Sequence, residues 1–361
     1  MKDPGDLKQG HPTRRRLLQQ IGSAITIASL PSTVRGQTSE RRKGSSTESR
    51  NALHRKIPST GERIPAIGLG TFLTFDLLPG APRQPLRQVM QNYWAGGARL
   101  IDTSPLYGSA EISVGDFATA LGFTDDMFVA NKIWATGDYL ADDSQIRRSL
   151  ELSEGRLWRK RIDLMQCHSL VNVDVVLPYL RAWKREGRIR YTGVTHHENV
   201  YHEALLNWVE RGALDFLQVN YSIFNRAAEE RLLPSAQQRG VAVNINMPFE
   251  KARLFKVVEG RDPPAFAREF GAKTWAAFFL KYVLSHPAVT CVLPATSSPA
   301  HAVENVAALH GPLPDATTRR RMIAHMEGIP GFATIGAMPW YPDKRYTGLI
   351  GRSQAQLKAR S

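Results

Sequence analysis

Eight short apolar runs, separated at regular intervals by amphipathic stretches, constrain the fold of this chain more than any other feature. The runs end near Phe72 (RIPAIGLGTF), Ser104 (ARLIDTS), Trp134 (MFVANKIW), Ser169 (RIDLMQCHS), His197 (IRYTGVTHH), Ser222 (LDFLQVNYS), Phe249 (VAVNINMPF) and Thr296 (VTCVLPAT). Between them, Ala110, Val114, Phe117, Ala118 and Leu121 recur at helical spacing, as do Trp275, Phe278, Phe279, Tyr282 and Val283. Strands that are apolar throughout suit a parallel sheet covered on both faces. Eight strand–helix units over about 240 residues match a (β/α)8 TIM barrel in size. A doubly wound open sheet is the runner-up, and the lack of a G-x-G-x-x-G at an early strand-to-helix turn weakens it.

The repeat sets the domain organisation: a barrel over residues 60–312 and a C-terminal tail over 313–361. The tail contains a basic helix-like stretch, DATTRRRMIAHMEG, and then a Gly/Pro/aromatic segment, IPGFATIGAMPWYPDKRY, in which Trp340 and Tyr341 are candidates to close a pocket. Ahead of the barrel, TRRRLL (Thr13–Leu18) is followed by a short, diluted apolar run from Ile21 to Leu30, too short to span a bilayer. This pattern resembles a twin-arginine export signal, and it implies an exported, periplasmic protein handled by the twin-arginine machinery. We read residues 1–36 as the signal and 37–59 as a flexible polar linker. The net charge is +14, and residues 1–56 alone carry 12 basic against 4 acidic residues. A basic head on a mildly basic body argues against a nucleic-acid platform. Cys167 and Cys291 lie in apolar runs and read as core thiols, and no metal-ligand set is read.

In a barrel of this kind, function collects at the C-terminal ends of the strands. Asp102 closes the second run, Lys132 lies near the end of the third, His168 near the end of the fourth, and Tyr107 on the loop after the second. A buried Asp or Lys needs a partner, and these two are placed to pair. A lysine beside a phenol lowers its pKa from about 10, making Tyr107 a better general acid near neutral pH. His168 is placed to steer a carbonyl oxygen by hydrogen bonding. A Schiff-base role for Lys132, in an aldolase-like or isomerase chemistry, is a further reading.

The four residues, in this order on consecutive strands, resemble the catalytic tetrad of the aldo-keto reductases over about residues 60–310. IGLGTF, GVTHHE, LQVNYS and LPATSSPAHAVEN match further segments of that family. The resemblance implies hydride transfer between a nicotinamide and the carbon of a small carbonyl or alcohol substrate. NADP(H) is the implied cofactor, with NAD(H) second. Tyr107 would be the proton donor, Asp102 and Lys132 would tune it, and His168 would orient the substrate. In the family a Ser–Asn pair and a Gln hold the nicotinamide carboxamide; the positions here are Thr195, His196 and Gln218. The position of a stacking aromatic ring is Asn246, followed by Met247. Thr71, Thr296, Ser297, Ser298, His301, Glu304 and Asn305 fall at the remaining cofactor contacts, with Ala295 and His301 where basic residues are common. Phe72 and Trp134 are implied walls of the substrate pocket. These departures leave a second reading open, a non-catalytic nucleotide-binding barrel acting as a sensor or partner. The intact tetrad argues against it.

Overall fold

The computed structural model describes residues 52–135 and 144–358. Two short strands, β1 (His54–Lys56) and β2 (Arg63–Pro65), pair antiparallel ahead of the barrel. Eight parallel strands follow: β3 (Leu69–Gly70), β4 (Leu100–Asp102), β5 (Phe128–Ile133), β6 (Ile162–His168), β7 (Ile189–His196), β8 (Phe216–Asn220), β9 (Ala242–Asn246) and β10 (Val289–Val292). They hydrogen-bond in sequence order, and a parallel bridge between Ile67 and Val292 brings the first segment against the last. This is the (β/α)8 architecture expected from the alternating runs.

The helices are α1 (Gln84–Ala95), α2 (Ala110–Leu121), α3 (Ser144–Leu157), α4 (Val173–Arg185), α5 (His202–Arg211), α6 (Leu232–Gln238), α7 (Arg253–Val257), α8 (Trp275–Leu284), α9 (Pro299–Ala307), α10 (Ala316–Glu327) and α11 (Leu349–Lys358). The apolar stripe of α2 buries Ala110, Val114, Phe117 and Ala118 against the sheet. In α8 the Thr274 side chain accepts from the Ala277 N–H, satisfying an orphan donor of the first turn, and Phe278, Phe279, Tyr282 and Val283 are buried. Each such side chain contributes about 1.5–3 kcal/mol on burial. None of the described helices is long and apolar enough to cross a membrane.

Side chains alternate across every strand, so two cores form. Val129, Met165, Val194, Leu217, Val243 and Ile245 face the helices. Leu100, Phe128, Leu164, Tyr191, Phe216 and Cys291 fill the barrel's interior, together with Ile57 and Ile64 from the hairpin. Both cysteines are free and buried, as read from their apolar surroundings.

Two boundaries differ from the sequence reading. Residues 54–56 belong to the folded body and not to a linker, because Arg55 and Lys56 pair with Ile64 and Arg63 and Ile57 is fully buried. For the same reason RIPAIGLGTF is not one strand: its first three residues belong to the hairpin, while Ile67, through its bridge to Val292, and Leu69–Gly70 join the barrel. Gly61, with φ 75°, makes the turn between the two hairpin strands, a conformation glycine adopts without steric cost. The export signal expected in residues 1–36 lies outside the described residues.

The C-terminal tail is held to the barrel by Arg319 of α10, which donates to Tyr221 Oη (2.8 Å) and Ser285 Oγ (2.7 Å). From there the chain crosses the strand ends. The Tyr341 N–H donates to Lys251 O (2.9 Å), Asp343 pairs with Lys256 (2.9 Å), and the Ile350 N–H donates to Asp76 Oδ2 (2.8 Å).

Candidate active site

Because all eight strands run the same way, their C-terminal residues share one end of the barrel. Register places Lys132 beside Gln166, His168 beside Thr195, and Thr195 beside Gln218. A cavity of about 1000 Å³ opens over these ends. Asp102, Tyr107, Lys132 and His168 all line it, and so do Thr71, Phe72, Thr195, His196, Gln218, Asn246, Met247, Thr296, His301, Glu304 and Asn305. Three expected residues do not. Trp134 stands at the end of β5 without reaching the cavity wall, Ser297 is exposed, and Ser298 caps α9 by accepting from the His301 N–H (3.4 Å).

Lys132 and Asp102 form a buried ion pair. Lys132 Nζ donates to both carboxylate oxygens at 2.8 Å and to Thr103 O at 2.9 Å, so all three of its protons are used. Burial pushes both groups toward neutrality, and their mutual contacts oppose it. Gln218 Nε2 donates to Asp102 Oδ1 (3.2 Å) while its Oε1 accepts from Gln166 (3.0 Å). The Gln218 amide lines the cavity and spends one N–H on Asp102 and one lone pair on Gln166, keeping its second N–H and second lone pair.

Lys132 Nζ lies 4.9 Å from the centre of the Tyr107 ring. Phe72 packs on that ring at 4.9 Å, and His168 meets it edge-on at 5.8 Å. The Tyr107 phenol is raised well above its ordinary pKa by burial, then by the Asp102 carboxylate and by Tyr341. This corrects the expectation that the lysine would lower it. The Lys132 charge is matched by Asp102, so desolvation decides the direction.

His168 is pushed down to about 3, by burial and then by the Lys132 charge and the neighbouring histidines, and is neutral at physiological pH. Its Nδ1 lies 3.2 Å from Ser104 Oγ, which also accepts from the Leu106 N–H. The Ser104 hydroxyl can donate to Nδ1, which leaves the ring proton on Nε2, or accept from Nδ1–H. His196 is fixed more firmly. Its Nδ1 accepts from the N–H groups of His197 (3.0 Å) and Glu198 (3.1 Å), which puts its proton on Nε2, and its ring stacks on Tyr201 at 3.6 Å.

The cavity's donor set fits a nicotinamide carboxamide. Asn246 Oδ1 is buried without a protein partner, and His196 offers an N–H. One acceptor and one donor are what a primary amide requires. Gly70, also on the cavity wall, packs closely on the segment after the last strand, since a Cβ there would lie 3.1 Å from Leu293 O. Thr71 is pinned by its hydroxyl to Asp102 O (2.9 Å), and Asn305 donates to Tyr93 Oη (2.9 Å).

Sequence reasoning missed Lys251, His197 and Tyr346 as wall residues. Lys251 sits in a charged loop segment, PFEKAR, that reads as solvated, and nothing in its pattern marks it.

The family model described as "Aldo/keto reductase family" matches residues 66–321. The chain is 26% identical to the NADH-specific methylglyoxal reductase of Escherichia coli (strain K12), over 76% of this chain and 99% of that protein. It is 25% identical to the L-galactose dehydrogenase of Arabidopsis thaliana, over 71% and 87%. An aldo-keto reductase from Klebsiella pneumoniae, solved in complex with NADPH, superposes with a TM-score of 0.62 at 23% identity, covering 82% of this chain and 99% of that one.

Proposed function

The chain belongs to the aldo/keto reductase family, and from that premise we propose that it is an NADP(H)-dependent reductase of a small aldehyde or ketone, accepting NAD(H) less well. The reading is carried by one observation: a buried Asp102–Lys132 pair beneath the Tyr107 ring, with a neutral His168 at its edge, at the floor of a cavity. The NADPH-bound Klebsiella pneumoniae neighbour and the NADH-specific Escherichia coli relative support the cofactor assignment.

A bound reduced nicotinamide supplies the hydride to the carbonyl carbon. Tyr107 passes its proton to the carbonyl oxygen. The high phenol pKa keeps that proton in place until charge develops on the oxygen, and Lys132 under the ring then steadies the phenolate. Neutral His168 orients the oxygen through its Nε2–H, in the tautomer that accepts from Ser104. His196 Nε2–H and Asn246 Oδ1 would hold the carboxamide of a bound nicotinamide, and Phe72 and the tail residues Trp340 and Tyr341 line the cavity around it.

The test is titration of the protein with NADPH and NADH, following nicotinamide fluorescence, and then addition of methylglyoxal. Saturable binding and consumption of the reduced cofactor are expected, and binding of neither cofactor contradicts the reading. We further propose that residues 1–36 direct twin-arginine export, on the TRRRLL pattern. Changing Arg14 and Arg15 to Lys in a reporter fusion is expected to retain the reporter in the cytoplasm, and unchanged export contradicts this.

A further inference from the structure

The loop from β9 to α7 takes an unusual path. Met247, Glu250, Lys251 and Ala252 all adopt left-handed backbone, with φ 53°, 50°, 52° and 70°. For non-glycine residues this conformation costs about 1–3 kcal/mol each, and it persists only where the surroundings impose it. Here it turns Lys251 into the cavity with 9% of its surface exposed.

The Lys251 ammonium lies 2.9 Å from the centre of the Trp340 ring. The carboxylates around it are engaged elsewhere. Glu250 accepts from Arg253 (2.8 Å) and Ser222 (2.7 Å), and Glu198 faces His197 at 3.5 Å. Another lysine on the wall, Lys256, is paired with Glu259 and Asp343. Among the described residues, no oxygen lies within hydrogen-bonding distance of Lys251 Nζ. The aromatic face backs the ammonium on one side and leaves its N–H donors open to the cavity. The Lys251 side chain lines the cavity and burial lowers its pKa to about 7, so an oxyanion arriving with a ligand would give the ammonium a partner and hold its proton in place.

Two neighbours share the cavity wall with Lys251, Tyr341 and His197. Tyr341 holds Lys251 O through its own N–H and is felt electrostatically at the Tyr107 phenol. His197 lines the same cavity, and burial and then the Lys251 charge lower its pKa. Lys251 therefore shares one cavity with Tyr107, Lys132 and His168.

We propose that Lys251, backed by Trp340 and flanked by His197, binds a carboxylate or phosphate carried by the carbonyl substrate, so that the preferred substrates are oxo acids or phosphorylated aldehydes. This rests on the carbonyl-reductase reading above. A charge-assisted hydrogen bond of this kind is worth about tenfold or more in binding.

The experiment compares the full-length protein with its Lys251→Met and Lys251→Arg variants. Three quantities are read: the ratio of kcat/KM for succinic semialdehyde to that for butyraldehyde, the NADPH dissociation constant by fluorescence, and succinate and inorganic phosphate binding to the NADP-loaded protein by calorimetry. The expected result is a ratio at least about tenfold lower in Lys251→Met and restored in Lys251→Arg, anion binding lost only in Lys251→Met, and NADPH affinity little changed. A weakened NADPH affinity with an unchanged ratio would assign the cation to the dinucleotide's phosphates and overturn the proposal, as would no change in any of the three. If neither aldehyde is reduced while Lys251-dependent succinate or phosphate binding persists, the reductase reading fails and the anion site stands.

Discussion

Lys132 approaches Tyr107 through the face of its ring, 4.9 Å from the centre, while every proton of its ammonium is spent on Asp102 and Thr103. The lysine is thus neutralised by its own partner before it meets the phenol. Burial outweighs the lysine, and the Tyr107 phenol holds its proton more tightly than free tyrosine.

The same pairing has a consequence for stability. Lys132→Met leaves the Asp102 carboxylate buried and alone, and is expected to cost about 3–5 kcal/mol. Adding Asp102→Asn removes the stranded charge, so the double variant is expected to be no less stable than Lys132→Met alone. Urea unfolding of the two single variants and the double gives the coupling directly, and additive losses would show that the two side chains do not share a charge.

Two histidines tie stability to pH. His168 is pushed down to about 3 and His196 to about 4, in each case chiefly by burial. Unfolded, each titrates near 6.5. Between these values the unfolded chain binds more protons than the folded one, so stability falls as pH drops below about 6.5 and levels off near 3–4. The slope is at most about 1.4 kcal/mol per pH unit for each ring. His168→Asn is expected to flatten the decline between pH 6.5 and 5 measured by urea unfolding, and an unchanged slope would mean that the ring takes up its proton without unfolding.

The barrel and its tetrad were legible because each rests on a local rule. Runs such as MFVANKIW announce a buried strand, and a carboxylate or ammonium ending such a run stands out against it, as Asp102 and Lys132 do. The hairpin carried a signal that went unused: Gly61 sits in a P-S-T-G turn between two short runs ending in Ile57 and Ile64. Lys251 carried none. Its burial depends on left-handed backbone at non-glycine positions and on Trp340, nearly ninety residues away, and neither is written in local pattern. The direction of the Tyr107 shift was likewise out of reach, since it depends on how completely Asp102 absorbs the lysine's charge.

At the other end of the cavity, His301 stands exposed in the first turn of α9, where backbone N–H groups favour an anion. If the 2′-phosphate of NADP meets this turn, His301→Arg supplies a permanent, bidentate cation. NADPH is expected to bind several-fold more tightly to the variant while NADH is little affected. Fluorescence titration of both cofactors decides it, and an equal effect on the two would place the phosphate elsewhere.

The most direct measurement is of Tyr107→Phe, which removes the phenol oxygen and keeps the ring that Phe72, His168 and Lys132 pack against. General acid catalysis contributes about 10²–10⁴-fold, so kcat for carbonyl reduction is expected to fall by that factor while the NADPH dissociation constant stays within about twofold of wild type. A variant that still turns over within a few-fold of wild type would show that Tyr107 is not the proton donor.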